Sequence, residues 1–347
     1  GILPENFIYI DLESVENGLL LKENYIDLSD APSRAQRQLI KDDILFQTVR
    51  PYQKNNFYFD KIDTEFKYVA STGYAQLRAN EDSKFLYQYL HTQNFVNNVL
   101  EKCTGTSYPA INSSDLSKII IYKPSLEEQQ KIGDFFTLLD KRIEQQEQKI
   151  ALLKDYKKAM MQKIFSQKIR FKDENGNDYP DWEEKMFMDI YFSVPSKAYQ
   201  VFKTEILSNG KIPVVDQGKN KIAGYSNESD KIYYNIPCIV FGDHTTELKY
   251  IDFPFIIGAD GTKIIQNHKE NLTLFLYYLL AEKNIEQEGY KRHFSILAEK
   301  SFIIPMKLEQ DKIASFLESI DLNIDHQETV LSNLKEQKQG LLGKMFV

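Results

Sequence analysis

Pro124-Ser125-Leu126-Glu127-Glu128-Gln129-Gln130-Lys131-Ile132-Gly133-Asp134-Phe135 opens a stretch that runs to Phe165 and returns near the C-terminus from Pro305 to Phe346. A shift of 181 positions, with no gap, superposes Pro124 on Pro305, Glu128 on Glu309, Gln129 on Gln310, Lys131 on Lys312, Ile132 on Ile313 and Phe135 on Phe316. The same shift aligns Asp140, Ile143, Gln146, Glu147, Leu153, Lys154, Lys157, Lys163 and Phe165 with identical residues of the second copy. The chain therefore contains an internal duplication, spaced by a whole domain and so not a solenoid.

Each copy reads as a helix. Ile132, Phe135, Leu139, Ile143, Ile150, Leu153, Met160 and Ile164 fall three or four apart, with Gln146 and Lys157 in the remaining seam positions. The second copy repeats the seam as Ile313, Phe316, Ile320, Ile324, Leu331, Leu334, Leu341 and Met345, with Gln327 and Lys338 interposed. A narrow apolar seam of this length seeks another helix. Pro124 and Pro305 suit a helix start, and Glu127, Glu128 and Glu309 suit a first turn. About forty residues at ~1.5 Å each make a rod of roughly 60 Å. Only the short polar stretch Ser166–Asp181 separates the first helix from the second domain, so antiparallel pairing needs the least chain.

The fold expected is α+β: two β-rich domains separated by a long antiparallel two-helix coiled coil, with a pseudo-twofold internal repeat. The divisions are 1–123 for the first domain, 124–168 for the first helix, 169–304 for the second domain and 305–347 for the second helix. In the first domain, Ile8–Ile10, Tyr25–Leu28, Asp43–Gln47 and Tyr68–Ala70 are short β-rich runs, and Ile119–Tyr122 is expected to be a final strand before Pro124. Phe85–Leu90 has helical spacing. In the second domain Pro237–Phe241, Phe275–Leu280 and Phe302–Pro305 answer these runs, while the loops differ completely. The first domain opens abruptly on a strand-like run, so further residues are expected before its start.

At 347 residues with 13% aromatics the composition is that of a globular protein of two domains. No apolar run approaches the ~18 residues of a membrane span, so no membrane partner is expected. Cys103 and Cys238 are unclustered, which suits a reducing cytoplasm and excludes a cysteine-based zinc site. A net charge of −7 argues against a stand-alone nucleic-acid binder.

The loops carry the chemistry. In the first domain, Ser33, Arg34, Gln36 and Arg37 are followed after a strand by Arg50, Tyr52, Gln53 and Lys54. Arginine and glutamine are the bidentate readers of guanine and adenine edges, and Ser, Lys and backbone amides hold phosphates; the plain alternative is a solvated basic loop. In the second domain the candidates are Asp216, Gln217, Lys219, Tyr225, Asp243, His244, Thr245, Thr246, Asp260, Thr262, Lys263, Lys291, Arg292 and His293. Glycines beside them, in Gly258-Ala259-Asp260-Gly261 and at Gly218, Gly224 and Gly242, suit close backbone approach to a polymer. Gly258–Lys263 lacks the spacing of a phosphate-binding loop. Neither a nucleophile elbow nor a dinucleotide fingerprint is present, so the chain reads as non-catalytic.

The Pro-x-x-x-Glu-Gln-x-Lys-Ile-x-x-Phe pattern at Pro124, with its long polar helix and its counterpart at Pro305, resembles the central and distal spacers of type I restriction–modification specificity subunits. Ser33–Arg37 with Thr48–Pro51, and Val214–Gly218 with Phe241–Thr245 and Gly258–Gly261, look like loops of their two target recognition domains. The resemblance implies that each domain reads one half of a bipartite site in double-stranded DNA. It implies two methyltransferase subunits as partners, which bind S-adenosylmethionine and methylate adenine N6, and restriction/translocase subunits that use ATP and Mg. This chain would itself bind no cofactor. Two other readings stand beside it: a coiled-coil scaffold for protein partners, and a metal-dependent nuclease built on Asp243, His244 and Asp260.

Overall fold

A computed structural model describes residues 3–62, 64–105, 107–258, 260–289 and 291–346. The chain divides into two compact units, one of Gly1–Lys149 with Gln327–Val347 and one of Ile150–His326. The division falls inside both long helices, so each unit holds one β domain and a portion of each helix. Among the described residues no helix is long and apolar enough to cross a membrane.

In the first unit Asn6–Ile10 pairs antiparallel with Asn24–Asp27 and parallel with Lys67–Ser71, whose other edge carries Ala35–Gln38. A second sheet has Asp43–Gln47 between Phe57–Phe59 and Tyr74–Leu77. Asp43–Gln47 is buried at every position because it lies between two apolar layers. Leu45 faces the cluster of Ile8, Ile10 and Tyr74, while Ile44 and Phe46 face that of Leu90, Phe95 and Val99. Its buried Asp43 carboxylate is answered by Arg78 Nε at 2.7 Å, Gln76 Nε2 at 2.6 Å and Ile40 N at 2.8 Å.

The second unit repeats this frame. Ile212–Val215 lies between Gly224–Ser226, antiparallel, and Ile256–Ile257, parallel. Cys238–Gly242 lies between Leu248–Ile251 and Thr262–Asn267. Two additions distinguish it: Tyr191–Val194 pairs with the outer edge of Thr262–Asn267, and Glu183–Met186 pairs with Ser301–Ile304. The run Ile119–Tyr122, expected to be a strand, is not one; among the described residues nothing pairs with it, whereas its counterpart Ser301–Ile304 has Glu183–Met186.

The long helices span Leu126–Phe165 and Lys307–Met345, each starting two residues after its proline. In the first unit they run antiparallel, since partners climb one helix as they descend the other. Phe136 meets Phe346, Asp140 Oδ1 meets Lys338 Nζ at 2.5 Å, and Glu147 meets Lys335 at 2.6 Å. Gln146 Nε2 donates to the Oε1 and O of Gln327, its own equivalent in the repeat, both at 2.9 Å. In the second unit Lys157 Nζ bonds both Asp321 oxygens, at 2.5 and 2.7 Å.

The seam departs from expectation near the helix ends. Phe136 and its equivalent Leu317 are fully buried, whereas Phe135 is 45% exposed and Phe316 half-buried. The step from Ile132 is four residues, which keeps the stripe on the partner-facing side. Likewise Leu342 is buried and Met345 exposed.

The shared Pro-x-x-x-Glu-Gln pattern now has a physical account. Gln129 Nε2 and Gln310 Nε2 each donate to the carbonyl of the proline five residues back, both at 2.9 Å. Each also reaches the segment leading into its own domain's helix, Gln129 to Glu81 at 2.6 Å and Gln310 to Asn271 at 2.9 Å. The Asp140 and Asp321 nodes do the same about three turns further on. Gln88 Nε2 donates to Asp140 and Tyr278 Oη to Asp321, each at 2.7 Å. Burial and the Asp321 carboxylate push the Tyr278 phenol far above its usual range, so it stays a donor. Asp321→Ala therefore strands both Lys157 and Tyr278 and is expected to destabilise the second unit by about 2–4 kcal/mol. Glu127→Ala, in the exposed pair with Lys131, is expected to cost under about 0.5 kcal/mol. Urea unfolding of the two variants checks the difference.

Candidate nucleic-acid interface

In the first unit the two candidate loops meet at the turn Ser71–Gly73. Thr72 N donates to Arg34 O at 2.9 Å, and Gly73 O accepts from Thr48 N at 3.2 Å and Thr48 Oγ1 at 2.7 Å. Ala35–Gln38 is an edge strand with an irregularity in register between Ala35 and Arg37. Such a bulge re-aims side chains, and Gln36, exposed, turns its Nε2 back to Ser33 O at 2.7 Å. Ser33 and Arg34 are exposed and Arg37 is half-buried. Arg50 has a left-handed backbone, φ 53°, fixed by its N–H to Pro109 O at 2.8 Å. Its guanidinium lies 4.2 Å from the centre of the exposed Tyr108 ring. The Nε atoms of Arg37 and Arg50 are buried with no acceptor among the described residues.

Tyr52 and Gln53 are exposed on the same loop. Buried Gln47 braces it, donating to Gln53 Oε1 at 2.9 Å and accepting from Asn55 N at 3.2 Å. Lys54 points into the domain: its Nζ donates to His91 O at 2.9 Å, and burial, then the Lys338 charge, lowers its pKa. Lys54 thus holds the loop down.

In the second unit four loops are laced together. Gln217 is the hub, donating from Nε2 to Asp260 O at 3.0 Å, accepting His244 N on Oε1 at 3.2 Å, and accepting Thr245 Oγ1 on its carbonyl at 2.6 Å. His244 Nδ1 lies 3.1 Å from Lys291 O, and Gln287 Nε2 donates to His244 O at 3.2 Å. Lys249, buried beneath, donates to Asp216 O at 2.6 Å; burial lowers its pKa against the pull of Asp216.

Four candidates lie inside the frame. Asp243 is buried; its Oδ1 accepts Phe294 N at 2.8 Å, and its carbonyl accepts His293 N at 2.8 Å. His293 is fully buried, with Nδ1 on Asp243 O at 3.0 Å and Nε2 accepting Glu288 N at 3.1 Å, so Nδ1 carries the hydrogen. Thr246 and Thr262 are buried as well. These side chains shape the loops. Asp243, turned to cap the start of Phe294–Ala298, does not join His244 and Asp260 in a nuclease-like cluster. Lys219, Asp260, Lys291 and Arg292 remain exposed, and Asp216, Gln217, Tyr225, His244, Thr245 and Lys263 half-buried. Ala259, quoted within the glycine-rich stretch, lies outside the described residues.

The model of the type I restriction modification DNA specificity domain matches this chain twice, over residues 6–155 and 179–336. The chain belongs to that family. A type I restriction enzyme HindI specificity subunit from Haemophilus influenzae is 30% identical over 145 residues, 40% of this chain and 31% of that protein. The EcoR124I/EcoR124II specificity subunit from Escherichia coli is 34% identical over 101 residues, 27% of this chain and 25% of that protein. The matches thus span about a third and a quarter of these relatives. The solved S subunit of a type I restriction-modification system from M. genitalium superposes with a TM-score of 0.60, covering 98% of this chain and 88% of its own at 18% identity, and shows the shared fold.

In this specificity-domain protein the loop clusters also include residues that the sequence did not single out. Tyr108 stacks on Arg50, Gln200 Nε2 reaches Asp260 Oδ1 at 3.0 Å, and Gln287 holds His244. None carries a motif; Tyr108, between Gly105 and Pro109, was signalled only by that turn composition. Gly261 is one tight point of the lacing. It has φ +80°, and a Cβ there would stand 2.7 Å from His244 Cδ2 and 3.1 Å from Gln217 Oε1. Gly261→Ala is expected to lower the stability of the second unit by about 1–3 kcal/mol. Gly176→Ala, with φ +83° and nothing within 4 Å, should cost only the strain of about 1 kcal/mol. Thermal or urea unfolding of the pair separates crowding from strain.

Proposed function

We propose that this chain is the DNA-recognition subunit of a type I restriction–modification complex, reading a bipartite double-stranded site with one loop cluster in each unit. The observation that carries this is the double occurrence of one specificity domain, each copy presenting a different loop set on the same strand frame. In the first unit Arg34, Gln36, Arg37, Arg50 and Gln53 supply planar donors for base edges, with Ser33 and Tyr52 beside them. In the second, Asp216, Gln217, Tyr225, His244, Thr245 and Asp260 supply mixed donors and acceptors, and Lys219, Lys263, Lys291 and Arg292 supply charge for phosphates.

The chain itself carries out no chemistry in this reading. Two methyltransferase subunits dock on it, bring S-adenosylmethionine and flip the target adenine from the stack. Restriction/translocase subunits add ATP and Mg, and the assembly works in the cytoplasm beside the chromosome. The partners also answer the charge of −7: they grip the backbone while this chain reads bases.

Arg34→Ala or Arg37→Ala in the assembled methyltransferase complex is expected to weaken binding by about 1–3 kcal/mol and to relax discrimination at one half-site only. Lys219→Ala or Lys291→Ala should weaken binding uniformly and reduce the salt slope by about 1. Binding of half-site-scrambled duplexes over a salt series reads both. An equal loss on both half-sites from Arg34→Ala would refute the assignment.

A further inference from the structure

Arg50 and Tyr108 of the first unit are brought together by a short run of backbone pairing. Ile111 N donates to Thr48 O at 3.0 Å, Arg50 N donates to Pro109 O at 2.8 Å, and Val49 bridges to Ala110. The turn that carries Tyr108 is closed at its base, where Thr104 and Ala110 exchange N–H to carbonyl bonds of 2.9 and 3.0 Å. Arg50 is fixed from the other direction as well. Gln53 N donates to Arg50 O at 3.0 Å, Pro51 between them is buried, and buried Gln47 braces the same turn through Gln53 Oε1 at 2.9 Å.

The guanidinium lies over the Tyr108 ring, 4.2 Å from its centre, and the ring is 65% exposed. Nε is buried without an acceptor among the described residues. The two terminal nitrogens make no hydrogen bond there either, and they open to solvent. One face of the group is thus covered and its inner donor enclosed, so only the end of the fork is offered to a ligand. Arg34, exposed and without a side-chain partner among the described residues, must lose its rotamer freedom on contact. Arg50 has lost most of it beforehand, which is preorganisation. Two parallel donors in a preset plane match O6 and N7 on the edge of one guanine. Phosphate oxygens can be met from many directions and need no such plane.

We propose that Arg50 reads a guanine in the half-site of the first unit, and that Tyr108 is its positioning residue, holding the guanidinium plane edge-on to the base. This rests on the DNA-recognition reading above and goes further by naming the base, its reader and the reader's support. The part played by Tyr108 is separate from charge. Removing the ring leaves the Arg50 charge in place and frees its plane, so the loss falls on discrimination at one base pair rather than on overall attraction. Phenylalanine keeps the stacking face, and the Tyr108 hydroxyl makes no hydrogen bond among the described residues.

The test selects bound duplexes from a randomised double-stranded library with the assembled methyltransferase complex, reads base preference at each position, and adds a salt series on the selected duplex. Arg50→Ala should abolish a guanine preference at one position of one half-site, a loss of roughly tenfold or more. Arg50→Lys, which keeps the charge and loses the fork, should lose that preference too. Tyr108→Ala should lower preference at the same position about threefold or more, with the other positions and the salt slope unchanged, and Tyr108→Phe should retain it. Parental preference throughout in Tyr108→Ala, or a loss spread over every position, overturns the positioning role. Full preference in Arg50→Lys, or a lower salt slope with preference intact in Arg50→Ala, would make Arg50 a phosphate contact and overturn the guanine assignment. A parent complex that selects no sequence overturns the DNA-recognition reading itself, and this inference with it.

Discussion

The chain's architecture depends on pairing two halves of its own duplication through charges set inside an apolar seam. Asp140 with Lys338, and Asp321 with Lys157, are the same pair written twice, each aspartate facing the lysine of the other copy. A lysine and an aspartate held on a half-buried seam tolerate few registers, because any slip leaves both without a partner in a poorly solvated place. Each node also takes a hydrogen bond from its own domain, from Gln88 or Tyr278. The element that sets the helix register is therefore the one that seats the domain on the helices. Gln129 and Gln310 add a second anchor near the helix starts.

Much of this was legible in residues. The repeat predicted both helices nearly to their ends, and β-rich runs such as Asp43–Gln47 and, from its second residue on, Pro237–Phe241 became buried strands. Legibility failed where two neighbouring positions were both apolar: Phe135 and Phe136 satisfy helical spacing alike, and only the partner helix decides which turns inward. It failed again at Ile119–Tyr122, whose composition favours a strand but whose pairing depends on another segment. The site was half legible. Arg34, Gln36 and Tyr52 stand at the surface as their types suggest, but Asp243 and His293 spend their polar groups on backbone inside the domain. Composition gives the same letters for a contact and for a brace; hydrogen-bond accounting separates them.

The frame and loops divide the work. Strand pairing in the two units is alike, so the backbone positions from which loops depart are alike, while the contents differ wholly: an arginine-rich pair around Gly73 in one, a Gln217-centred lacing in the other. A duplication that keeps strands and helix nodes while freeing loops lets each domain acquire its own reading without disturbing how it is held.

The account rests on antiparallel self-pairing, and a short-spacer bismaleimide crosslink tests it most directly. In a Cys103→Ser/Cys238→Ser background, Asp140→Cys with Lys338→Cys should crosslink within one chain. Lys157→Cys with Lys338→Cys, the repeat-equivalent pair that parallel helices would bring together, should not. Efficient crosslinking of the second pair with none of the first would mean parallel helices and contradict the account.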